Sequence, residues 1–207
     1  MISIQEIAAE NKEYIPTIVH LHSIAFPSFF LTQLGTPFLK ALYTGYLEDE
    51  KSGILIAKKD NVVVGVLAYS MDYSQFYKNL IKKYLFRFML CSFCAAINHP
   101  TYIKRLFRAF KKSESVQKPQ KYVELSSICV NPQFEGYGIG SALIRSLINK
   151  VDFNQYEFIN LETYAENNDA VNAFYRKNNF VLARQIITNE GQLMNEYRYR
   201  PGNKTYS

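Results

Sequence analysis

The stretch "NPQFEGYGIGSALI", residues 131–144, places three glycines at alternate positions and then turns apolar. Glycine weakens the interior of helices and strands, so Gly136, Gly138 and Gly140 predict a loop that bends tightly or lets another molecule approach closely. The apolar residues that follow are spaced as in an amphipathic helix that begins at this loop. The start of a helix has unpaired N–H groups and the positive end of the helix dipole, and both attract phosphate.

Two familiar phosphate-binding loops need a different spacing. A dinucleotide-binding loop has the pattern G-x-G-x-x-G directly after a strand, whereas here G-x-G-x-G begins only after five residues have followed Val130. A Walker A loop needs lysine after the last glycine, where this chain has Ser141. A plain tight turn stays open as an alternative, although it needs fewer glycines. The pattern therefore favours a cradle for a pyrophosphate at a helix N-terminus.

The rest of the chain alternates between strand-like and helix-like segments. Strands are predicted at residues 2–7, 53–59, 62–70, 121–130, 158–164, 183–190 and 192–200. Helices are predicted at residues 11–26, at 27–48 with a break near Gly35 and Pro37, at 140–151 and at 168–179. This order predicts an α/β fold in which a mixed central β-sheet is flanked by helices. We expect a single domain over residues 1–207, with a helical insertion at about 74–118 between the third and fourth strands.

Composition narrows the function classes. Hydrophobic residues make up 48% of the chain, enough for a sizeable core, and the net charge of +6 favours a small anionic partner. We expect no nucleic-acid partner. The cysteines are Cys91, Cys94 and Cys129, too few for a disulfide framework, so a cytoplasmic location is expected. Neither a secretory signal nor a transmembrane span is predicted, and the lone C-x-x-C at 91–94 predicts no metal site.

Two longer stretches resemble a known family. "ICVNPQFEGYGIGSALI", residues 128–144, resembles the acyl-CoA-binding motif of the GNAT N-acetyltransferase superfamily, and "ETYAENNDAVNAFYRKNNF", residues 162–180, resembles its second motif. Together with the element order, the resemblance covers most of residues 1–73 and 119–200 and implies the GNAT fold. Glu135 departs from the motif, because the family usually has arginine or glutamine there. A carboxylate beside a pyrophosphate is electrostatically unfavourable, so Glu135 is expected to weaken the binding of CoA.

The resemblance implies acetyl-CoA as the co-substrate. The backbone of Ile128 and Val130 would pair with the pantetheine arm like an added strand, the amides of the glycine loop would hold the pyrophosphate, and an amide at or near Ile128 would polarise the thioester carbonyl. The implied binding residues are Ile128, Cys129, Val130, Gly136, Tyr137, Gly138, Ile139, Gly140, Ser141 and Asn168. Asn168 has a second interpretation as the N-cap of the helix that follows it.

The resemblance also implies catalytic residues. Tyr175 lies at the position of the family's usual general acid, from which a phenol protonates the departing thiolate; the alternative is a tyrosine that only packs in the core. Glu124 lies where some family members carry a general-base glutamate; the alternative is a solvated or ion-paired side chain. His20 and His22, on the first long helix, are rival bases or structural histidines.

The position of Glu124 on its strand predicts its neighbours. Side chains alternate between the two faces of a strand, so Glu124, Ser126, Ile128 and Val130 are expected to share one face. On this prediction the carboxylate of Glu124 lies on the same side as the residues that bind the co-substrate.

The predicted insertion, residues 74–118, mixes lysine and arginine with phenylalanine, tyrosine and leucine. Three roles are consistent with this mixture: a lid that binds an anionic acceptor, a segment that lies on a membrane surface, and a homodimer interface. The simplest alternative is a pair of amphipathic helices that covers the edge of the sheet.

These observations predict an N-acetyltransferase that transfers an acetyl group from acetyl-CoA to the amine of a small molecule by direct attack. "AFPSFFLTQLGTPFLKALY", residues 25–43, more weakly resembles GNAT proteins encoded with bacterial surface-polysaccharide genes, which suggests an amino sugar, free or nucleotide-linked. Two alternatives stay open: a catalytically silent GNAT-like module that binds acyl-CoA, and a membrane-peripheral protein that uses the basic insertion.

Overall fold

The computed structural model describes residues 2–27, 29–80, 82–83, 120–188 and 191–202. In these ranges seven strands form a mixed sheet in the order β1-β2-β3-β4-β5-β7-β6. The strands are β1 (Ile2–Ile7), β2 (Ser52–Lys59), β3 (Val62–Ser70), β4 (Tyr122–Val130), β5 (Phe158–Tyr164), β6 (Val181–Ile187) and β7 (Leu193–Tyr199). The α-helices are α1 (Ile15–Ala25), α2 (Phe30–Gln33), α3 (Thr36–Glu48), α4 (Ile139–Lys150) and α5 (Asp169–Lys177), and residues 73–80 are also helical.

The predicted fold class is confirmed: a mixed central sheet flanked by helices, with its elements in the predicted order. The break expected near Gly35 lies between α2 and α3, where Gly35 has a φ of +91°. The predicted insertion is helical at its start, and most of it, including Cys91 and Cys94, lies outside the described residues. None of the helices in the described ranges is long and apolar enough to cross a membrane.

A two-residue turn joins β2 to β3, as the Asp60–Asn61 pair predicts. Asp60 and Asn61 have φ values of 51° and 63°, so both adopt the left-handed conformation that aspartate and asparagine tolerate better than most residues. This turn allows β2 and β3 to pair in an antiparallel hairpin. The hairpin places β3 beside β4, which leads into the glycine loop.

The sheet opens between its two middle strands. β4 and β5 pair in parallel over three residue pairs, Tyr122–Glu124 with Phe158–Asn160. Beyond this point β4 continues beside β3 as far as Val130, while β5 continues beside β7 as far as Tyr164. The two strands therefore diverge, and one edge of β4 faces a gap in the sheet.

A β-bulge in β4 lies at the start of this divergence. Ala68 of β3 pairs with Ser127, but the next residue, Tyr69, pairs with Leu125, so Ser126 is an extra residue. A bulge of this kind shifts the alternation of side chains by one position. The prediction that Glu124 shares a face with Ile128 and Val130 is therefore wrong, because the bulge lies between them.

Two apolar clusters show which face each residue of β4 occupies. Cys129 belongs to the cluster formed with α1 and α3 on one face of the sheet. Val123 and Leu125 belong to the cluster formed with α4 on the other face, and Ile128 and Val130 pack against that same cluster. Alternation about the bulge puts Glu124 on the face of α1 and α3.

A network of amide side chains, centred on the buried Asn172 and Asn195, holds α5 against the sheet. Asn172 Nδ2 donates hydrogen bonds to the carbonyl oxygens of Tyr164 (3.0 Å) and Asn168 (2.8 Å). Its Oδ1 accepts from Asn195 Nδ2 on β7 at 2.8 Å, and Asn195 Oδ1 accepts from Gln185 Nε2 on β6 at 2.9 Å. Because three strands share this network, it fixes the position of α5, which carries Tyr175.

Replacing Asn172 with alanine should lower the free energy of unfolding by about 1–3 kcal/mol, because buried partners lose their hydrogen bonds. Asn149→Ala, on the exposed face of α4, is the matched control and should change it by less than about 0.5 kcal/mol. Urea denaturation followed by circular dichroism measures both. Equal stabilities of the two variants would show that the network contributes nothing.

Candidate active site

A cavity of about 290 Å³ lies where β4 and β5 diverge, and we call it the central cavity. One wall is formed by the middle of β4, residues 125–128, and another by the end of β5 with the start of α5. The remaining lining consists largely of aromatic rings from α1, from the segment between α1 and α2, from α3 and from the helical residues 73–80. A cleft at which several strands and helices meet is a typical binding site for small molecules.

A second cavity, of about 280 Å³, lies over the glycine loop, and we call it the loop cavity. Its lining includes Gly136, Gly138, Gly140 and Ser141 at the start of α4, together with Phe134, Phe174 and Lys177. Ile128 lines both cavities and Val130 lines the loop cavity. The exposed edge of β4 therefore connects the two.

The glycines at 136 and 138 leave room for a ligand. Their φ values are +81° and +74°, and a Cβ atom at either position would have no heavy atom within 4 Å. Gly138 precedes α4 without a side-chain hydrogen bond to cap that helix. The N–H groups of Ile139, Gly140 and Ser141 are therefore available to an anion at the positive end of the helix dipole.

Gly140 has a different role. A Cβ atom there would lie 2.9 Å from Cζ of Phe174 and 3.1 Å from its Cε2. Carbon atoms do not approach this closely, so Gly140 allows α4 to pack against the aromatic ring of α5. Of the three glycines that the sequence singled out, two give the loop its shape and the third fits two helices together.

The charges around the loop cavity are mixed. Glu135 and Lys177 both line it. Lys59 Nζ lies 4.9 Å from the ring centroid of Phe134 and 5.0 Å from that of Tyr137, so a second ammonium group lies beside the loop. Two cations thus lie near Glu135 and oppose the unfavourable effect of its carboxylate on a bound pyrophosphate.

Tyr175 lines the central cavity on the side of α5. Its side chain is buried, with its ring centroid 5.9 Å from that of Phe180 and 6.0 Å from that of Tyr197. Burial raises the pKa of the Tyr175 phenol, so the hydroxyl group remains protonated at neutral pH. Tyr175 shares this cavity with Ile128, as the proposed acid and the proposed thioester position require.

Glu124 is buried on the other side of the bulge. Its Oε2 accepts a hydrogen bond from Asn160 Nδ2 at 2.8 Å. Its charge contributes, after burial, to raising the pKa values of Tyr73 and Tyr77, which line the central cavity. Glu124 is not among the described residues that line the cavity, but it lies close enough to Tyr73 and Tyr77 to interact with them electrostatically.

Asn168 lines the central cavity, but it does not cap α5 with its side chain. Instead, Asn168 Nδ2 donates to Thr163 Oγ1 at 2.9 Å and to the carbonyl oxygen of Tyr164 at 3.1 Å. Asn168 therefore occupies the N-cap position of α5, but its side chain does not make the capping hydrogen bond that this interpretation expected. The side chain fastens the end of β5 to the start of α5, next to the cavity.

The two histidines differ in position. His20 is exposed, whereas His22 is buried and lines the central cavity. His22 Nδ1 is hydrogen-bonded to the Tyr43 hydroxyl at 2.8 Å, and that hydroxyl lies 3.5 Å from Ser127 Oγ on β4. Burial lowers the pKa of His22 to about 4, so its ring is neutral at pH 7. Of the two rival bases, only His22 reaches the cavity.

Cys129 lies on the opposite face from Ile128 and is buried beneath α1 and α3. Burial raises the pKa of its thiol to about 12, so the thiol is protonated and unreactive. Only its backbone, on β4 between Ile128 and Val130, is in a position to contact a ligand. In the described ranges, no group of three or more His, Cys, Asp or Glu side chains is arranged to hold a metal ion.

The sequence did not show which aromatic rings meet in the central cavity. Its lining contains seven aromatic or imidazole rings from the first half of the chain: His22, Phe26, Phe29, Tyr43, Tyr46, Tyr73 and Tyr77. The abundance of tyrosine and phenylalanine gave a general signal, but not which rings meet. Glu162, an exposed residue of β5, is the one acidic side chain in the described lining, which contains neither lysine nor arginine.

The sequence matches a known family over most of its length. The profile of the acetyltransferase (GNAT) family matches residues 15–180. A search of curated protein sequences found no match.

Solved structures share the fold. The chain is similar to an N-acetyltransferase from Staphylococcus aureus Mu50, with a TM-score of 0.60 and 16% identity over 97% of this chain and 98% of that one. It is also similar to the ribosomal-protein-S18-alanine N-acetyltransferase from Escherichia coli (TM-score 0.56, 14% identity, 97% and 94% covered). A polyamine N-acetyltransferase from Drosophila melanogaster gives a TM-score of 0.60 at 11% identity, with 97% and 100% covered.

The buried neutral His22 should make the protein less stable in mild acid. The unfolded chain has a histidine pKa near 6.5 and the folded protein a value of about 4, so between these pH values the unfolded state binds more protons. The free energy of unfolding should therefore fall by about 2 kcal/mol from pH 7 to pH 5 because of this one residue. Urea denaturation at both pH values measures the change.

His22→Gln should lose this part of the pH dependence, while the matched control His20→Gln, at an exposed position, should keep it. Identical pH dependence in the two variants would show that His22 is not buried in its neutral form.

Proposed function

The chain belongs to the acetyltransferase (GNAT) family, and from that premise we propose that it transfers the acetyl group of acetyl-CoA to the amine of a small molecule. The observation that supports this most strongly is the continuity of the two cavities along one edge of β4. A thioester whose pyrophosphate lies at the start of α4 would extend along this edge. Its acetyl group would then reach the central cavity beside Tyr175.

The loop cavity fits the pyrophosphate of CoA by its own chemistry. The open space at Gly136 and Gly138 admits phosphate oxygens, and the uncapped start of α4 supplies N–H donors. Lys59 and Lys177 add positive charge. On the other side of Ile128, the gap between β4 and β5 leaves backbone groups of β4 for the pantetheine arm, which would bind as an extra strand does.

Each proposed catalytic residue handles one proton. The amine nitrogen forms a bond to the thioester carbonyl carbon as the carbon–sulfur bond breaks. Glu124 accepts the proton that the nitrogen loses, through a water or a phenol of the cavity, since its carboxylate interacts electrostatically with Tyr73 and Tyr77. Tyr175 donates the proton of its phenol to the departing thiolate. Backbone N–H groups near Ile128 stabilise the developing negative charge on the carbonyl oxygen.

An amino sugar is the acceptor that the sequence resemblance suggests, and the rings of the central cavity offer stacking surfaces for a sugar. For a nucleotide-linked sugar, the cations that would meet the diphosphate lie in the predicted insertion, most of which is outside the described residues. The organisation of residues 1–207 as a single domain, the homodimer and the cytoplasmic location also remain predictions from the sequence.

Acetyl-CoA should raise the melting temperature of the protein, because it binds the folded state alone. At a concentration one hundred times its dissociation constant, the expected stabilisation is about 2.7 kcal/mol. A thermal-shift titration measures this, with NAD at equal concentration as the control, which should give no shift. If millimolar acetyl-CoA produced no shift, Glu135 would have disabled the site, and the catalytically silent module would become the better interpretation.

Tyr175→Phe should lower kcat by about 100-fold or more, since loss of a general acid typically costs this much, while leaving the dissociation constant of acetyl-CoA within about twofold. Tyr156→Phe, at a position outside both cavities, is the matched control and should keep full activity. Release of free CoA, followed with a thiol reagent, gives the rate. An unchanged kcat in Tyr175→Phe would remove the acid role from this residue.

A further inference from the structure

We propose that the acceptor carries a hydroxyl group in addition to its amine, and that this hydroxyl pairs with His22 Nε2 in the central cavity; the inference rests on the proposed acetyl transfer. Two residues in the lining of that cavity, His22 and Ser126, each have a buried polar atom that no group in the described part of the chain pairs with: His22 Nε2 and Ser126 Oγ. A buried polar atom without a partner costs free energy, so its presence in a cavity indicates a ligand or an ordered water that pairs with it.

The ring of His22 is held in place through one of its two nitrogen atoms. His22 is 2% exposed, and its ring packs edge-on against Phe26 and Tyr43, with centroids 5.0 Å and 5.7 Å apart. Nδ1 is hydrogen-bonded to the Tyr43 hydroxyl at 2.8 Å. These contacts fix the orientation of the ring and leave Nε2 as its open hydrogen-bonding position. A ligand in the cavity would supply the missing partner.

A hydroxyl group suits Nε2 in both states that the neutral ring can adopt. A neutral imidazole has one N–H group and one bare nitrogen. When the Tyr43 hydroxyl donates to Nδ1, Nε2 carries the N–H. When Nδ1 donates to that hydroxyl, Nε2 is bare, and the phenol proton is free to turn towards Ser127 Oγ, 3.5 Å away. An ammonium group only donates and a carbonyl oxygen only accepts, whereas a hydroxyl does both.

Ser126 Oγ is a second position of the same kind. Ser126 is the extra residue of the bulge in β4, and it lines the same cavity as His22. Its Oγ lies near the phenol of Tyr46, but not at the distance and angle of a hydrogen bond. A serine hydroxyl also donates and accepts, so it too pairs with a hydroxyl. Two such atoms in one cavity of about 290 Å³ favour a hydroxylated acceptor over one with a purely apolar body.

Such a site should discriminate against the analogue that lacks the hydroxyl group. An apolar amine that displaced water from Nε2 would leave this atom unpaired in the complex, which costs binding free energy. Sites built to hydrogen-bond a substrate hydroxyl therefore reject the deoxy analogue more strongly than apolar pockets reject an added group. The acceptor class is thus that of amino alcohols, to which amino sugars also belong.

The binding test uses two pairs of amines whose members differ in one hydroxyl group: trans-2-aminocyclohexanol with cyclohexylamine, and 4-amino-1-butanol with butylamine. Isothermal titration in the presence of CoA, which cannot transfer an acetyl group, measures binding alone. We expect the hydroxylated member of at least one pair to bind at least tenfold more tightly than its partner. Equal binding within both pairs, the result expected if Nε2 pairs with a water only, would overturn the proposal. Tighter binding of the deoxy members, or no measurable binding of all four amines, would also overturn it.

A variant of His22 tests where the hydroxyl binds. His22→Phe keeps a planar ring without its nitrogen atoms, so the preference for the hydroxylated amine should fall to about twofold or less, with no change in the Kd of CoA. His20→Phe, at an exposed position of the same helix, is the matched control and should keep the full preference. An equal preference in the two variants would overturn the assignment to His22.

A second measurement needs no variant, and so holds even if His22→Phe fails to fold. In protein with ¹⁵N-labelled histidine, the nitrogen resonances of His22 are those that stay neutral at pH 5.5, because burial lowers the pKa of this residue to about 4. The Nε2 resonance should move on addition of the hydroxylated amine and stay in place with its deoxy partner. An Nε2 resonance that responded equally to both amines, or to neither, would overturn the proposal.

Turnover separates this inference from the proposed function on which it rests. Hydroxyl-dependent binding with no release of CoA from acetyl-CoA would overturn the acetyl transfer and leave the hydroxyl site in place. Acetylation of cyclohexylamine or butylamine in preference to the hydroxylated partner would support the transfer and overturn the acceptor class. Preferential acetylation of an amino alcohol, with its N-acetyl product identified by mass spectrometry, would support both.

Discussion

The early end of parallel pairing between β4 and β5 is the constraint on which the site depends. Three residue pairs hold the strands together, and beyond them each strand follows a different neighbour. Backbone N–H and C=O groups at the free edge of β4 need hydrogen-bond partners, since a buried polar group without one costs free energy. That edge is therefore a template for an extended ligand. The bulge at Ser126 also turns the side chains of Glu124 and Ile128 to opposite faces of the sheet.

Burial controls the protonation states around this gap. The same removal from water that raises the pKa of Tyr175 lowers that of His22, because in each case it disfavours the charged form. His22 and the Tyr175 phenol of the cavity are consequently neutral at pH 7, and the charge of Glu124 further raises the pKa values of Tyr73 and Tyr77. Tyr175, on α5, lines the cavity, whereas the carboxylate of Glu124, on β4, is hydrogen-bonded to Asn160.

Contacts between the residues of the cavity walls and the neighbouring strands stabilise the site. The amide network centred on Asn172 joins α5 to three strands, and Asn168 fastens the start of that helix to the end of β5. Gly140 lets α4 approach Phe174 of α5. The position of Tyr175 relative to the glycine loop is thus set by helix packing and buried hydrogen bonds.

The sequence by itself determined the local features: the glycine loop before α4, the Asp60–Asn61 turn, the order of helices and strands, and the two family motifs. Each depends on residues near one another in the chain, whose backbone preferences and spacing act locally. Only the tertiary structure decided the bulge that separates Glu124 from Ile128, the pairing of His22 with Tyr43, and the hydrogen bond between Asn160 and Glu124. Strand register and contacts between residues 21 or 36 positions apart result from packing of the whole sheet, which no short pattern contains. For the same reason the sequence showed many aromatic residues, and the fold decided that nine rings meet in the described lining of one cavity.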